Sequence, residues 1–134
     1  MFRLIYVSTA KFGLAETDLS NILEEATTAN AQRGMTGVLL FNGLNFLQML
    51  EGEQRDVMEI FNRIVRDSRH TSVVTVLQET ADERVFPDWS MQLKARPSTV
   101  NPGFGDGTDF SDVTDRPMPE HLSRIFGNFD TLKG

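Results

Sequence analysis

The dipeptide Asn42-Gly43 separates two short apolar segments, and this arrangement strongly constrains the fold. Asn-Gly is the strongest short signal for a β-hairpin, because both residues tolerate the positive φ angles of a tight turn. Residues 35–41 and Asn45–Gly52 are therefore predicted to form two paired strands. Apolar residues of the second strand point to both of its faces, so we expect that strand to be buried on both sides.

Hydrophobic periodicity predicts the other elements. A first helix is expected to take Thr17 or Asp18 as its N-cap and to end before Gly34. In the last strand Trp89 and Met91 alternate with polar residues, which predicts that both lie on one buried face. The predicted elements are strands at 2–8, 72–78 and 88–95, helices at 16–32 and 54–67, and a short helix at 119–130.

The resulting order, β-α-β-β-α-β-β, predicts an α+β fold of the ferredoxin-like type, with two helices on one face of the sheet. Right-handed crossovers place the first and third strands at the centre. Residues 96–117 are rich in Gly, Pro, Ser, Thr and Asp and predict a linker or wrapped tail. We therefore expect a domain at 1–95 followed by a linker and a capping helix at 96–134. That helix is too short to be stable alone and should dock on the sheet or on a partner.

Composition excludes several classes of function. A net charge of −6 argues against nucleic acid as a main partner. The absence of cysteine excludes disulfides, iron–sulfur clusters and thiol chemistry, and two distant histidines, His70 and His121, argue against a zinc site. With no apolar run of membrane-spanning length and no signal peptide, we expect a cytoplasmic protein without membrane contact.

Three side chains with polar ends fall on faces that are predicted to be buried: Tyr6, Asn30 and Gln48. Each alone is most simply a core group that has found one hydrogen bond. Together they could converge on one pocket between the helices and the sheet. Two amides and a phenol suit a ligand with a planar array of donors and acceptors, such as a flavin ring. No nucleophile–base pair is evident, so a catalytic site fits less well.

Charged residues around the end of the second helix have two interpretations. Arg63 and Asp67 are spaced i, i+4 and most simply form a surface ion pair. Arg69 and His70 follow the helix end, where cations suit the helix dipole. Alternatively, Arg69 and His70 could contact a ribityl or phosphate chain at the pocket mouth.

These residues together resemble the BLUF domains, blue-light sensors that use FAD. The resemblance covers about residues 1–95 and rests on Tyr6, Asn30 and four segments, which are specific as a set. The segments are MTGVLLFNG from Met35, FLQMLEG from Phe46, RIVRDSRH from Arg63 and FPDWSM from Phe86. Two departures are Ala29, where several relatives carry a polar side chain, and Met35, where isoleucine is more usual.

The resemblance implies a site. Asn30 would hold the C4 carbonyl and N3 edge of the flavin, and Gln48 would bridge the Tyr6 hydroxyl and flavin N5 or C4 carbonyl. Ile22 and Ile64 would enclose the ring. Arg63, Asp67, Arg69 and His70 would lie near its C2 side and the ribityl chain. Trp89 and Met91 match a pair in the fifth strand that is near the glutamine in some states and swung out in others.

The family resemblance also implies a mechanism without turnover of a substrate. Light would drive electron and proton transfer from Tyr6. Gln48 would be left rotated or tautomerised, with a new hydrogen bond to the C4 carbonyl of the flavin. This bond would shift the flavin absorption to the red. Trp89 is either a competing electron donor or a half-buried packing residue. The cofactor is expected to be FAD, with FMN or riboflavin as alternatives.

The chain resembles a short stand-alone member of the family. Its signal is expected to pass from the last strand to the tail helix. The recipient would be a signalling partner or another copy of the chain in a homo-oligomer. Two other functions stay open at this point. One is a light-independent ferredoxin-like module that binds a small ligand or a protein, and the other is a small flavin-dependent oxidoreductase.

Overall fold

The computed structural model describes residues 1–95 and 110–130, and these form an α+β fold with the predicted order of elements. The predicted linker falls mostly on residues 96–109, which lie outside the described residues. The strands are β1 (Phe2–Ala10), β2 (Thr36–Phe41), β3 (Asn45–Gly52), β4 (His70–Thr80) and β5 (Gln92–Ala95). The helices are α1 (Glu16–Arg33), α2 (Gln54–Val65), α3 (Ser111–Thr114) and α4 (Glu120–Asp130).

The five strands form one sheet in the order β4-β1-β3-β2-β5. Neighbouring strands are antiparallel except β2 and β5, which are parallel. The prediction that the first and third strands are central is confirmed, since β3 lies in the middle with β1 beside it. In this register Gln48 of β3 lies directly opposite Tyr6 of β1 and Leu39 of β2. A polar side chain therefore stands at the centre of the sheet.

Both faces of the central strands β1, β3 and β2 are covered. On one face α1 and α2 pack over a core that includes Leu4, Leu39 and Leu50. On the other face Leu122, Phe126 and Phe129 of α4 pack with α3 and the loop before β5. We refer to α3 and α4 as the C-terminal cap. The tail helix was expected to dock either on the sheet or on a partner, and in the structure it docks on the sheet.

The structure corrects three details of the sequence-based prediction. Helix α1 is capped by Ala15 rather than by Thr17 or Asp18, because the Asp18 carboxylate accepts the Ala15 N–H from within the first turn at 2.9 Å. Helix α3 lies inside the segment predicted to be a linker. Finally, β5 begins at Gln92, so strand alternation does not apply before it: Met91 packs on the α1–α2 side and Trp89 on the cap side.

A row of charged side chains crosses the cap side of the sheet. Arg3 is buried and lies opposite Glu51 of β3 and Glu79 of β4. Its guanidinium donates to Glu79 at 2.6 Å and approaches the fully buried Glu51 carboxylate at 3.5 Å. Glu79 in turn contacts His121 at the start of α4 at 2.9 Å. These pairs connect three strands to the cap.

Gly37 of β2 allows two strands to approach closely, which leads to a prediction about stability. A Cβ atom at Gly37 would lie 1.9 Å from the backbone oxygen of Met49. We therefore expect Gly37→Ala to destabilise the protein by at least about 1–3 kcal/mol, the usual cost of overpacking, in urea denaturation.

The matched control is Gly127→Ala in α4, where an added Cβ meets nothing within 4 Å. Because glycine weakens a helix interior, that variant should gain about 0.5–1 kcal/mol. Equal unfolding midpoints for the two variants would contradict the packing seen at Gly37.

None of the helices within residues 1–95 and 110–130 is both long enough and apolar enough to cross a membrane.

Candidate functional site

A cavity of about 290 Å³ lies between α1 and α2, over the middle of β3. Apolar side chains of the two helices form its walls, and the Gln48 amide from the sheet contributes a polar group to it. A mostly apolar pocket with few polar groups is the usual form of a small-molecule site. The lining residues are Ile22, Glu25, Ala26, Ala29, Gln48, Ile60, Arg63, Ile64, Asp67, Arg69 and His70.

The Gln48 side chain is buried and bonded at both of its ends. Its Oε1 accepts a hydrogen bond from the Tyr6 hydroxyl at 2.6 Å. Its Nε2 faces the sulfur of Met91 at 3.6 Å. A thioether is a weak acceptor, so the amide donor of Gln48 is poorly satisfied. A stronger acceptor in the cavity could therefore take this N–H group.

Asn30 provides the complementary group. The residue is fully buried near the end of α1, next to Ala29 in the cavity lining. Its Nδ2 donates to the Ser90 carbonyl at 2.8 Å. Its Oδ1 is buried and accepts no hydrogen bond from any part of the chain that the structure describes. Because an unpaired buried acceptor is costly, this atom calls for a donor from a bound molecule.

The Tyr6 phenol stays protonated at any ordinary pH. Its burial, and to a lesser extent the negative charge of Asp67, raise the pKa of the hydroxyl far above the usual value. Loss of the proton to solvent is thus strongly unfavourable. The proton becomes acidic only if the ring also loses an electron, and the short hydrogen bond to Gln48 Oε1 then gives it a direction.

An ion-pair cluster stands at the mouth of the cavity. Arg69 donates to both oxygens of Asp67 and reaches Glu25 of α1 at 2.7 Å. The hydrogen bonds from Arg69 lower the pKa of Asp67, and those to Asp67 raise the pKa of Arg69, so both remain charged. The predicted pair between Arg63 and Asp67 is wrong, because α2 ends at Val65 and Asp67 turns to Arg69.

Arg63 is instead paired with Glu59, one turn earlier in α2, at 3.3 Å. It is more than half exposed, so a polar extension of a ligand could compete for its guanidinium.

His70 closes the cavity next to Tyr6. Its Nδ1 lies 3.0 Å from the hydroxyl of Ser8, and its ring packs edge-on against the Tyr6 ring with centroids 6.2 Å apart. Burial lowers the pKa of the imidazole; the negative charge of Asp67 opposes this effect and the positive charge of Arg69 adds to it. A neutral His70 therefore adds no charge beside the phenol.

The structure brings most of the predicted site residues together. Seven of them line the cavity: Ile22, Gln48, Arg63, Ile64, Asp67, Arg69 and His70. Tyr6 and Met91 bond to Gln48 from outside the lining, and Asn30 is buried next to the lining residue Ala29. Trp89 packs on Phe86, on the face opposite the cavity.

The sequence-based prediction missed Glu25 and Ile60. Glu25 follows Ile22 by one helical turn, and Ile60 precedes Ile64 by one turn, so helical spacing could have found both.

The Gln48 amide donor thus faces a mostly apolar cavity, and the unpaired Asn30 acceptor is buried next to the lining residue Ala29. Residues 1–92 match the model of the BLUF family, described as sensors of blue light using FAD. The chain belongs to the BLUF family. Its function as a blue-light sensor follows from that membership, and the BLUF domains bind flavin.

Similar proteins include photoreceptors of several designs. Subunit β of the photoactivated adenylate cyclase of Euglena gracilis is 44% identical over 132 residues, which are 97% of this chain and 14% of that protein. A structure of Klebsiella pneumoniae BlrP1 with FMN and cyclic diGMP superposes with a TM-score of 0.79 at 27% identity, covering 96% of this chain and 34% of that one. The photo-activated state of BlsA gives 0.72 at 27% identity, covering 98% and 96%.

The matched region is a sensor and not an enzyme. This chain spans about one-seventh of the length of the cyclase subunit, and the family is described by sensing alone. In such relatives the BLUF domain signals to effector domains or partners. Within the described residues, no group of three His, Asp or Glu side chains is arranged to hold a metal ion.

Proposed function

We propose that this BLUF domain holds its flavin ring in the cavity between α1 and α2 and reports light through the Tyr6–Gln48 pair. The observation that carries the proposal is the orientation of Gln48. Its acceptor end is engaged by the Tyr6 hydroxyl, and among the described residues its donor end meets only the Met91 sulfur. The donor suits flavin N5 or the C4 carbonyl, both of which accept hydrogen bonds.

The other predicted contacts are part of the same proposal. Asn30 Oδ1, unpaired in the described structure, would accept the flavin N3–H, and Ile22 and Ile64 would enclose the ring from the two helices. Arg63, Asp67, Arg69 and His70 line the same cavity and would contact the C2 side of the ring and the ribityl chain. Ala29 offers no polar contact of its own.

Gln48 acts as the switch in this proposal because its two ends have opposite hydrogen-bonding character. Bound flavin supplies absorption of blue light and, once excited, an oxidising strength sufficient to take an electron from a phenol. Loss of that electron would acidify the Tyr6 hydroxyl, 2.6 Å from Gln48 Oε1, and Tyr6 would regain both its electron and its proton when the charges recombine. Rotation of the Gln48 amide exchanges its donor and acceptor ends, and the Met91 sulfur is too weak an acceptor to prevent it.

The experiment that tests the site is an absorption spectrum of the purified protein in the dark, after blue light, and after return to the dark. We expect a flavin spectrum that moves slightly to longer wavelength without bleaching and then recovers. Bleaching would indicate redox use of the flavin. A colourless protein that cannot be reconstituted would contradict the proposed site and favour a light-independent binding module.

We propose FAD as the cofactor, in keeping with the description of the family. The chain contacts that support a flavin concern the ring and not the nucleotide, and BlrP1 has been observed with FMN. Chromatography of the flavin released from the purified protein distinguishes FAD, FMN and riboflavin. Recovery of FMN alone would overturn this choice.

We propose that the output passes from Met91 to the C-terminal cap, and that residues 1–95 and 96–134 act as sensor and cap. Support comes from position: Met91 contacts Gln48, and the preceding loop packs on the cap. The recipient would be a signalling partner or a second copy of the chain. Light scattering in the dark and under blue light tests the second possibility, and an unchanged molar mass would exclude it.

A further inference from the structure

Trp89 is held by a cationic side chain from the C-terminal cap. The guanidinium carbon of Arg116, which follows α3, lies 4.3 Å from the centroid of the Trp89 ring and 5.0 Å from that of Phe86. The two rings are themselves stacked, with centroids 5.1 Å apart and planes 18° apart. Arg116 therefore lies within cation–π distance of both rings, and a planar guanidinium also stacks well on aromatic faces.

The same guanidinium is fixed by two further contacts. It donates to the backbone oxygen of Val85 at 2.9 Å and to the carboxylate of Asp88 at 3.2 Å. Both residues belong to the loop that carries Trp89. Arg116 thus binds this loop by its backbone, its acidic group and its aromatic rings at once. Only 22% of the Arg116 side chain is exposed, so the contacts are partly desolvated.

The sheet holds the same loop from the opposite side. The two oxygens of buried Glu51 accept the N–H groups of Val85 and Phe86 at 2.7 and 2.9 Å. With its start anchored to β3 and its end covered by Arg116, the loop places Trp89 on the cap side. Met91 is then left on the cavity side, within reach of Gln48.

We propose that Arg116 is a positioning residue of the light switch: it holds Trp89 against the cap and thereby keeps Met91 beside Gln48 in the dark. The proposal rests on the proposed function for its consequence in light. The hold on Trp89 itself does not depend on flavin. Lys94, whose ammonium group lies 5.7 Å from the Trp89 ring, gives weaker support from β5.

Trp89 is the only tryptophan, so its fluorescence reports this contact directly. The test compares the full chain with the variants Arg116→Ala and Arg116→Lys by acrylamide quenching in the dark, with and without flavin. We expect the quenching constant of Arg116→Ala to rise by about two- to fivefold, the range that one partly exposed cation–π contact supports. Arg116→Lys keeps the charge but not the planar stack, so its quenching constant should lie between those of the unaltered protein and Arg116→Ala.

The matched control is Arg124→Ala. This arginine also belongs to the cap and has an acidic partner, Glu120, but it is 74% exposed and touches neither ring. Its quenching constant should equal that of the unaltered protein. Thermal unfolding of each variant identifies any general loss of the cap, and Arg116→Lys keeps the test informative if the alanine variant is unstable.

The second measurement is the rate of dark recovery after blue light. If Arg116 stabilises the dark arrangement, Arg116→Ala should recover about two- to fivefold more slowly, while Arg124→Ala recovers at the normal rate. Equal quenching of the Arg116→Ala and Arg124→Ala variants would overturn the proposal. Raised quenching with an unchanged recovery rate would also overturn it, because Arg116 would then only pack. An unaltered protein that shows no light response would instead refute the proposed function.

Discussion

Replacing Tyr6 with phenylalanine is expected to abolish the light-induced red shift while leaving flavin bound. The substitution removes only the hydroxyl that donates to Gln48 Oε1 at 2.6 Å and keeps the ring in the core beside Phe61. Without this group the switch loses both its proton donor and its readily oxidised ring. The measurement is the difference spectrum after blue light, and we expect no long-wavelength feature above noise.

Ser8→Ala is the matched control for this prediction. It also deletes one buried hydroxyl, the partner of His70, on the same strand and the same side of the sheet as the cavity wall, but it does not touch Gln48. Its red shift should be retained. The tyrosine variant should also lose about 1–3 kcal/mol of stability, because Gln48 Oε1 is left without its donor. A normal red shift in Tyr6→Phe would remove Tyr6 from the mechanism.

Replacing Glu51 with alanine is expected to cause the largest loss of stability. The Glu51 carboxylate is fully buried, accepts two backbone N–H groups of the loop before Trp89, and faces the buried guanidinium of Arg3. Its removal leaves the buried Arg3 guanidinium with one partner fewer and the backbone N–H groups of Val85 and Phe86 without an acceptor. Breaking such a buried pair costs about 3–5 kcal/mol, a large part of the total stability of an ordinary domain. Urea denaturation measures the change.

Two variants separate charge from geometry at this site. Glu51→Gln keeps the shape and can still accept one of the N–H groups well, so its loss should be smaller than that of Glu51→Ala. Glu120→Gln removes an exposed carboxylate that pairs with the exposed Arg124, and it should leave the unfolding midpoint unchanged. If Glu51→Ala unfolded with the midpoint of Glu120→Gln, the buried row of charges would have no role in stability.

Several elements could be predicted from local patterns alone. The bounds predicted for β3 agree with the structure at both ends, because the turn at Asn42-Gly43 and the end of the apolar run limit that strand on each side. The C-terminal end of α1 was equally readable: Gly34 adopts a left-handed φ of 66°, which glycine takes without strain. The start of α1 at Glu16 was predicted as well, but its N-cap was not, since the Asp18 carboxylate accepts the Ala15 N–H from three positions later.

Local patterns could name the residues of the candidate site, but only the family resemblance implied that Tyr6 bonds to Gln48. Tyr6, Asn30 and Gln48 stood out because each is a polar group in an apolar pattern. That Tyr6 lies opposite Gln48 depends on the register of strands separated by a helix and a hairpin, which periodicity does not define. The unpaired oxygen of Asn30 likewise depends on where Ser90 falls in space.

The sequence by itself determined the order of elements, the two helices on one face, and the polar residues that mark the cavity, because each rests on spacing within a few residues. Only the tertiary structure decided that Trp89 and Met91 face opposite sides of the sheet, and that Arg3, Glu51 and Arg116 hold the loop between them. These features depend on charges and rings far apart in the chain. Such pairs are selected by burial and geometry in the folded state, which no local pattern records.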